Sequence, residues 1–308
     1  MGCRKLSFSA LVFSWCAVSV HGQTAPSADD RDEILAAIRR YALNYALTLP
    51  DYTCTRITHQ KISAVIMMYA VNPELTGQHP DNVPSWSVDI KEELTVAGSR
   101  EHYKVLKTDT NFPRGIKFAD EAFGTISVHE FSAALARIFA PENGANFERV
   151  RSNKLRGRPV IVYSFEIPHA HGAHVYDNVE HRDEVVGYKG LIYADAETRA
   201  VLRVEAHLYD FPSESEFRGV DFTLDYKAVK VGEREFVLPL RFELEWHRHK
   251  PGTLAKGRTL PQESNVEAEY GNYRIFSAES AATYGGADSQ VDIHSAISFG
   301  DIVSPEKK

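Results

Sequence analysis

The sequence predicts an α+β fold built on one antiparallel sheet. Three observations carry that reading. Apolar residues recur at helical spacing in two segments. Elsewhere they alternate with period two, in runs that meet at short turns marked by Gly or Asp. The regular strand–helix alternation that builds a parallel sheet does not run through the chain.

The elements follow in order. "PSADDRDEILAAIRRYALNYALTLP" reads as a helix over about 30–47. Ser27 or Asp29 caps it, acids fill its first turn where the helix dipole favours them, and Pro50 ends it. Ile34, Leu35, Ile38, Tyr41, Ala42 and Tyr45 make one apolar stripe. In "YTCTRITHQ" the period becomes two: Tyr52, Cys54, Arg56 and Thr58 share one face, and Thr53, Thr55, Ile57 and His59 the other. "AVIMMYAVNPELTGQHPDNVP" starts apolar and ends in turn residues, a short strand or flap followed by a loop. "WSVDIKEELTVAGSREHYKVLKTD" is a hairpin turning at Gly98-Ser99. "SVHEFSAALARIFAP" is a second helix over about 127–140, with Phe131, Leu135, Ile138 and Phe139 at helical spacing. Hairpins then dominate: "FERVRSNKLRGRPVIVYSFEIP", "GYKGLIYADAETRAVLRVEAHLYDFP" with an acidic turn at Asp195, and "VDFTLDYKAVKVGEREFVLPLRFELEW" turning at Gly232-Glu233. "VEAEYGNYRIFS" is a last strand.

Composition bounds the function. The 308 residues are 43% hydrophobic and 25% charged, ordinary for a soluble globular chain, with formal charge −7. Nothing in that balance points to a nucleic-acid binder. Arg4 and Lys5 precede the short apolar run "LSFSALVFSWCAVSV", and Gly22 offers a small residue for cleavage. Residues 1–22 therefore read as a signal peptide, too short for a membrane span of about 20 apolar residues. The mature chain is expected to be periplasmic or secreted, with no transmembrane segment. Of three cysteines, Cys54 alone would remain, so no intramolecular disulfide is expected. Residues 23–277 read as a single domain. Residues 278–308, rich in Ser, Ala, Gly and Asp, read as a flexible tail.

Six segments carry a family resemblance: "ALTLPDYTCTRIT", "ELTVAGSREHYKV", "HEFSAALARIF", "GYKGLIYADAETRAVLRVE", "LDYKAVKVGEREFVLPLRFE" and "EAEYGNYRIFSAES". They resemble an uncharacterised family of exported bacterial proteins. The pattern G-x-I-x-x-D-x-E-T-x-x-V-L-R, from Gly190 to Arg203, is more distantly similar to periplasmic lipoprotein carriers and envelope-stress sensors. That likeness implies a curved, incompletely closed antiparallel sheet, a half-barrel, with helices on the concave side.

Candidate chemistry is sparse. "IPHAHGAHVYDNVEHRDE" places His169, His171 and His174 within six residues, beside Asp177, Glu180 and His181. Histidines at i and i+2 on a strand face the same way and can reach one metal ion. A solvated His-rich loop fits the same residues. "EWHRHK" repeats the spacing at His247 and His249. Cys54 with His59 suggests a thiol and its base, but an odd offset points them to opposite faces of a strand. His129-Glu130 begins a metalloprotease word that Ala133 breaks. No serine-hydrolase elbow, P-loop or dinucleotide fingerprint is present. Met67, Met68 and Tyr69 read as core or as an adaptable apolar lip for a ligand.

The expectation is an exported, non-catalytic binding or carrier protein of the cell envelope, with no cofactor. Its ligand would be a lipid acyl chain or an extended peptide. Val160, Val162, Leu191 or Ile192 and Val237 would line the hollow between sheet and helices. In the alternative packing, Phe131, Phe139 and Phe236 fill that hollow. Two other functions stay open: a metal-dependent or other hydrolase using the histidines, and a scaffold that contacts an envelope protein partner.

Overall fold

The computed structural model describes residues 28–63, 85–97, 100–111, 129–177, 182–213, 215, 217–231, 233–248, 253–254, 258–259 and 263–276. The expected signal peptide, the segment holding Met67, Met68 and Tyr69, and the C-terminal tail lie outside these residues.

Helix α1 spans Ala28–Thr48 and α2 spans His129–Phe139. The strands are β1 (Tyr52–Ser63), β2 (Ser85–Ala97), β3 (Arg100–Thr110), β4 (Asn146–Leu155), β5 (Arg158–Ile167), β6 (Ala173–Asp177), β7 (Arg182–Asp195), β8 (Val201–Tyr209), β9 (Phe217–Val231), β10 (Arg234–Arg248), the short pair β11 (Thr253–Leu254) and β12 (Arg258–Thr259), and β13 (Glu263–Ile275). Eleven strands form one antiparallel, curved sheet in the order β3-β2-β1-β13-β10-β9-β8-β7-β5-β4, with β6 paired to β7 off this path. The path ends on β3 and β4, so the sheet does not close.

Local chemistry sets the turns. Arg156 and Gly157 both take positive φ, 49° and 83°, which joins β4 to β5 through a two-residue turn matched to strand twist. Between β7 and β8, Asp195 accepts hydrogen bonds from the amides of Glu197 and Thr198, each at 2.9 Å, and pairs with Arg158 Nε at 2.9 Å. Gly190 lets these two strands approach: a Cβ there would sit 1.8 Å from the Glu205 carbonyl oxygen.

Cross-strand pairing defines two faces. The Tyr226 hydroxyl donates to the carbonyl of Phe131 on α2, so the Tyr226 face is the helix side. One row on this inner face runs Tyr163, Ile192, Val204, Leu224, Phe242, Ala268, Thr58, Ile90 across eight strands. The next runs Phe165, Gly190, Ala206, Phe222, Leu244, Val266, Gln60, Val88. Ile38, Ala42 and Tyr45 of α1 and Phe131, Leu135, Ile138 and Phe139 of α2 are buried in the same core. The apolar stripes expected of both helices are thus the surfaces that pack.

Aromatic rings fill the space between α2 and the sheet. Phe131 meets Tyr226 and Tyr270 edge-on at 5.2 and 5.5 Å, and Tyr45 meets Tyr226 at 5.5 Å. Phe139 stacks on Phe147 at 5.1 Å. Under α2 the sheet therefore holds a packed core, with Phe131 and Phe139 in the filling role and Phe236 partly buried beside them.

Candidate functional site

Strand β1 departs from the chemistry of its neighbours. On its inner face Arg56, Thr58 and Gln60 are buried, at 1–3% exposure, while Ile57 on the outer face is half exposed. Glu92 on β2 and Ser264 on β13 extend this polar group to both sides, and both are buried. Buried polar side chains are uncommon unless paired, because each loses its water on folding. Most of the group is paired. Arg56 Nε bonds Glu92 Oε2 at 2.6 Å, and the Arg56 guanidinium lies 4.6 Å from the Tyr103 ring centroid. Gln60 Nε2 donates to Ser264 Oγ at 3.0 Å. Burial works against the Arg56 charge, yet Tyr270, Tyr103 and Glu92 outweigh it and raise its pKa. Thr58 Oγ1 is buried with no hydrogen-bond partner among the described residues.

The stripe has a defined place. Arg56 pairs across the ladder with Tyr270, one of the rings that Phe131 covers. Thr58 and Gln60 lie successively further from that ring, each set in a row that begins on β5 and ends on β2 at Ile90 or Val88. A polar strip thus borders the apolar field of Phe222, Leu224, Phe242, Leu244, Val266 and Ala268.

The outer face carries an open trough of about 540 Å³ across β7, β8, β9, β10 and β13. Glu205, Asp221, Glu243, Glu245 and Glu267 line it, with Lys189, His207, Leu191 and Thr223. His207 Nδ1 lies 2.9 Å from Asp221, and Arg241 Nη2 reaches Glu243 at 2.6 Å and Glu267 at 2.5 Å. Its chemistry is acidic and well paired.

The sequence-predicted residues disperse. Val162 pairs with Tyr193 on the outer side, in a small cluster with Val160, Ala200 and Leu202 against which Leu191 and Val237 also pack. Ile192 lies on the inner face. The register therefore gathers Val160, Val162, Leu191 and Val237 in one cluster and sets Ile192 apart from them on the inner face. His169 and His171 occupy a single 3-10 turn and His174 lies on β6; all three are exposed. His169 Nδ1 is 3.4 Å from Asp210 Oδ2. Among the described residues no group of three His, Cys, Asp or Glu side chains could hold a metal ion. Cys54 and His59 point to opposite faces: Cys54 is buried, and His59 is exposed and pairs with Asp89. Burial pushes the Cys54 thiol up to about 12, which keeps it protonated and unreactive near neutral pH.

Arg56, Thr58 and Gln60 share their face of β1 with the core residues Tyr52 and Cys54, so the sequence pattern alone does not mark them as a buried polar stripe. The signal available was that a polar face alternates with the Thr- and Ile-bearing one, and that both its neighbours place apolar residues opposite it.

No family model matches the chain, and no curated protein matches it in sequence. The family resemblance thus stands on its motifs alone. Solved structures do match. One is a domain named for outer membrane lipoprotein sorting from Vibrio parahaemolyticus, at 10% identity and TM-score 0.30, covering 80% of this chain and 92% of that one. A second is a DUF1329 family protein from Desulfovibrio piger, at 10% identity and TM-score 0.33, covering 82% and 96%. A third is the lipoprotein LppX of Mycobacterium tuberculosis, at 9% identity and TM-score 0.26, covering 79% and 95%. The likeness to them is distant and lies at the level of the fold. It carries no ligand across. No helix among the described residues is long and apolar enough to cross a membrane.

Proposed function

We propose that this chain is an exported, non-catalytic binding protein of the bacterial envelope that holds an acyl chain on the inner face of its sheet. The observation that supports this most is the buried polar strip of β1 beside an apolar field. A purely structural core gains little from Arg56, Thr58, Gln60, Glu92 and Ser264 on adjoining strands. Ligand sites, in contrast, are mostly apolar with a few fixed polar groups. The buried thiol and the exposed, carboxylate-paired histidines support a role in binding rather than in nucleophilic chemistry.

Purification from its own envelope followed by native mass spectrometry tests this. A co-purifying lipid, with saturable binding of a fluorescent acyl probe displaced by unlabelled chain, is the expected result. Failure of both would remove the carrier reading.

A second reading rests on the outer trough. Five carboxylates across four strands suit a basic, extended segment of an envelope protein partner. Binding of such peptides, weakened by salt and by Glu243→Gln with Glu245→Gln, would favour it.

A further inference from the structure

We infer that the C-terminal half of α1, with the flank of β4 beside it, docks this chain on an anionic lipid surface. The inference goes beyond the carrier reading and holds whatever the inner face binds.

The outward face of α1 is the starting point. Ile38, Ala42 and Tyr45 are buried in the core. At about 3.6 residues per turn, Ala36, Arg40, Leu43 and Leu47 fall on the opposite face, and all four are exposed. Leu47 is 82% exposed and Leu43 40%. A single exposed leucine needs no account, but two of them one turn apart make an apolar patch on a face that packs on nothing else in the fold.

Charge names the partner. From Ala36 to Pro50 the only charged residues are Arg39 and Arg40. Asp32 and Glu33 stand at the other end of the helix, at least about 15 Å along its axis from Leu43. The Arg39 guanidinium lies 5.7 Å from the Phe147 ring centroid, which sets β4 beside this half of α1. Arg149 and Lys154 share the Phe147 face of β4, opposite Tyr163 and Pro159. Val150, at the bulge next to Arg149, is half exposed. The one carboxylate of β4, Glu148, lies on the other face, opposite Ser164. Among the described residues none of the four cations is in an ion pair, whereas Arg156 and Arg158 at the end of the same hairpin are held by Asp225 and Asp195. This patch is basic in a chain of formal charge −7.

Exposed leucines flanked by arginine and lysine suit a helix lying in a membrane interface, with the leucines among the upper acyl groups and the cations at the lipid phosphates. A second copy of the chain suits the patch less. A twofold contact sets the same surface against itself, so the four cations would meet their own copies. Two leucines and a valine also fall well short of the roughly 800 Å² per partner that a stable pair buries.

The test is flotation of the mature protein with phosphatidylcholine vesicles, with and without about one-third phosphatidylglycerol, at low and at high salt. Binding is expected to the anionic vesicles alone, and it should fall at least about tenfold from low to high salt. Leu43→Ser with Leu47→Ser, and separately Arg40→Gln with Lys154→Gln, should each weaken it about tenfold. All four positions are exposed, so Tm should stay near wild type, which separates lost docking from lost folding. Three results would each overturn the inference: no flotation with anionic vesicles, flotation that neither pair of substitutions weakens, or a dimer in sedimentation that the serine pair dissolves.

Discussion

Tyr226 of β9 donates its hydroxyl hydrogen to the main-chain oxygen of Phe131 at 2.8 Å while its ring meets the Phe131 ring edge-on at 5.2 Å. One side chain thus fixes both the depth and the roll of α2 on the sheet. Tyr226→Phe keeps the ring and removes the bond, and should destabilise by about 1 kcal/mol. Phe131→Ala removes the plug between Tyr226 and Tyr270 and should lose about 3–5 kcal/mol. Urea unfolding monitored by circular dichroism checks both. Equal losses for the two variants would show that the ring contact does little.

Asp195 should be the most acid-sensitive turn residue. Burial raises its pKa, but the amides of Thr198 and Glu197 and the Arg158 guanidinium outweigh burial and lower it. A depressed carboxylate stabilises the fold above its unfolded pKa of about 3.9 and loses that contribution as pH falls through the folded value. Asp195→Asn should therefore be less stable than wild type by about 1–3 kcal/mol at pH 7. The gap should narrow below about pH 4. A gap that is constant from pH 7 to pH 2.5 would contradict the charge-based account.

Cys54 should resist modification in the folded protein. Its thiol is buried and its pKa is pushed up to about 12. At pH 8 an aromatic disulfide reagent should label it slowly, on the timescale of unfolding, and at once in denaturant. Rapid labelling of the native chain would reopen a role for the thiol.

Replacing His169, His171 and His174 together by Ala should leave Tm within about a degree, with or without chelator. All three are exposed, and surface substitutions usually stay within about 0.5 kcal/mol. A large drop that chelation of the wild type reproduces would restore the metal reading.

Export predicts a processed chain. Sequencing the N-terminus of protein from the envelope fraction should start near Gln23, beyond Arg4, Lys5 and the apolar run. Intact Met1 in that fraction would count against it.

Much of the architecture was legible because hairpins announce themselves locally. The turns near Asp195 and after Val231 fall where Asp and Gly mark them, and both helices present the expected stripes. The candidate site was less legible, for a specific reason. Period-two alternation gives the partition of β1 into two faces correctly, but each face mixes apolar and polar residues, so the pattern alone does not say which polar side chains are buried. Ile57 is half exposed while Arg56 is buried, since Glu92 and Tyr103 come from strands more than thirty residues on. Likewise Val162 and Ile192 are both apolar, and only the pairing of β5 with β7 reveals that they face apart.

The pairing of β1 with β13 sets the timing of folding. Tyr52 lies opposite Ile275, and Ser63 opposite Glu263, so β1 has a neighbour on that side only when nearly the whole chain has emerged. Contacts of such long sequence separation slow folding, because a large loop must close before they form. Until then the ladder from β1 to β3 and the ladder from β4 to β10 are two open ribbons, each with a bare edge where β13 belongs. A chain cut short before Glu263 should therefore stay unfolded or associate with its own kind, and a chaperone would find its work on that unzipped seam.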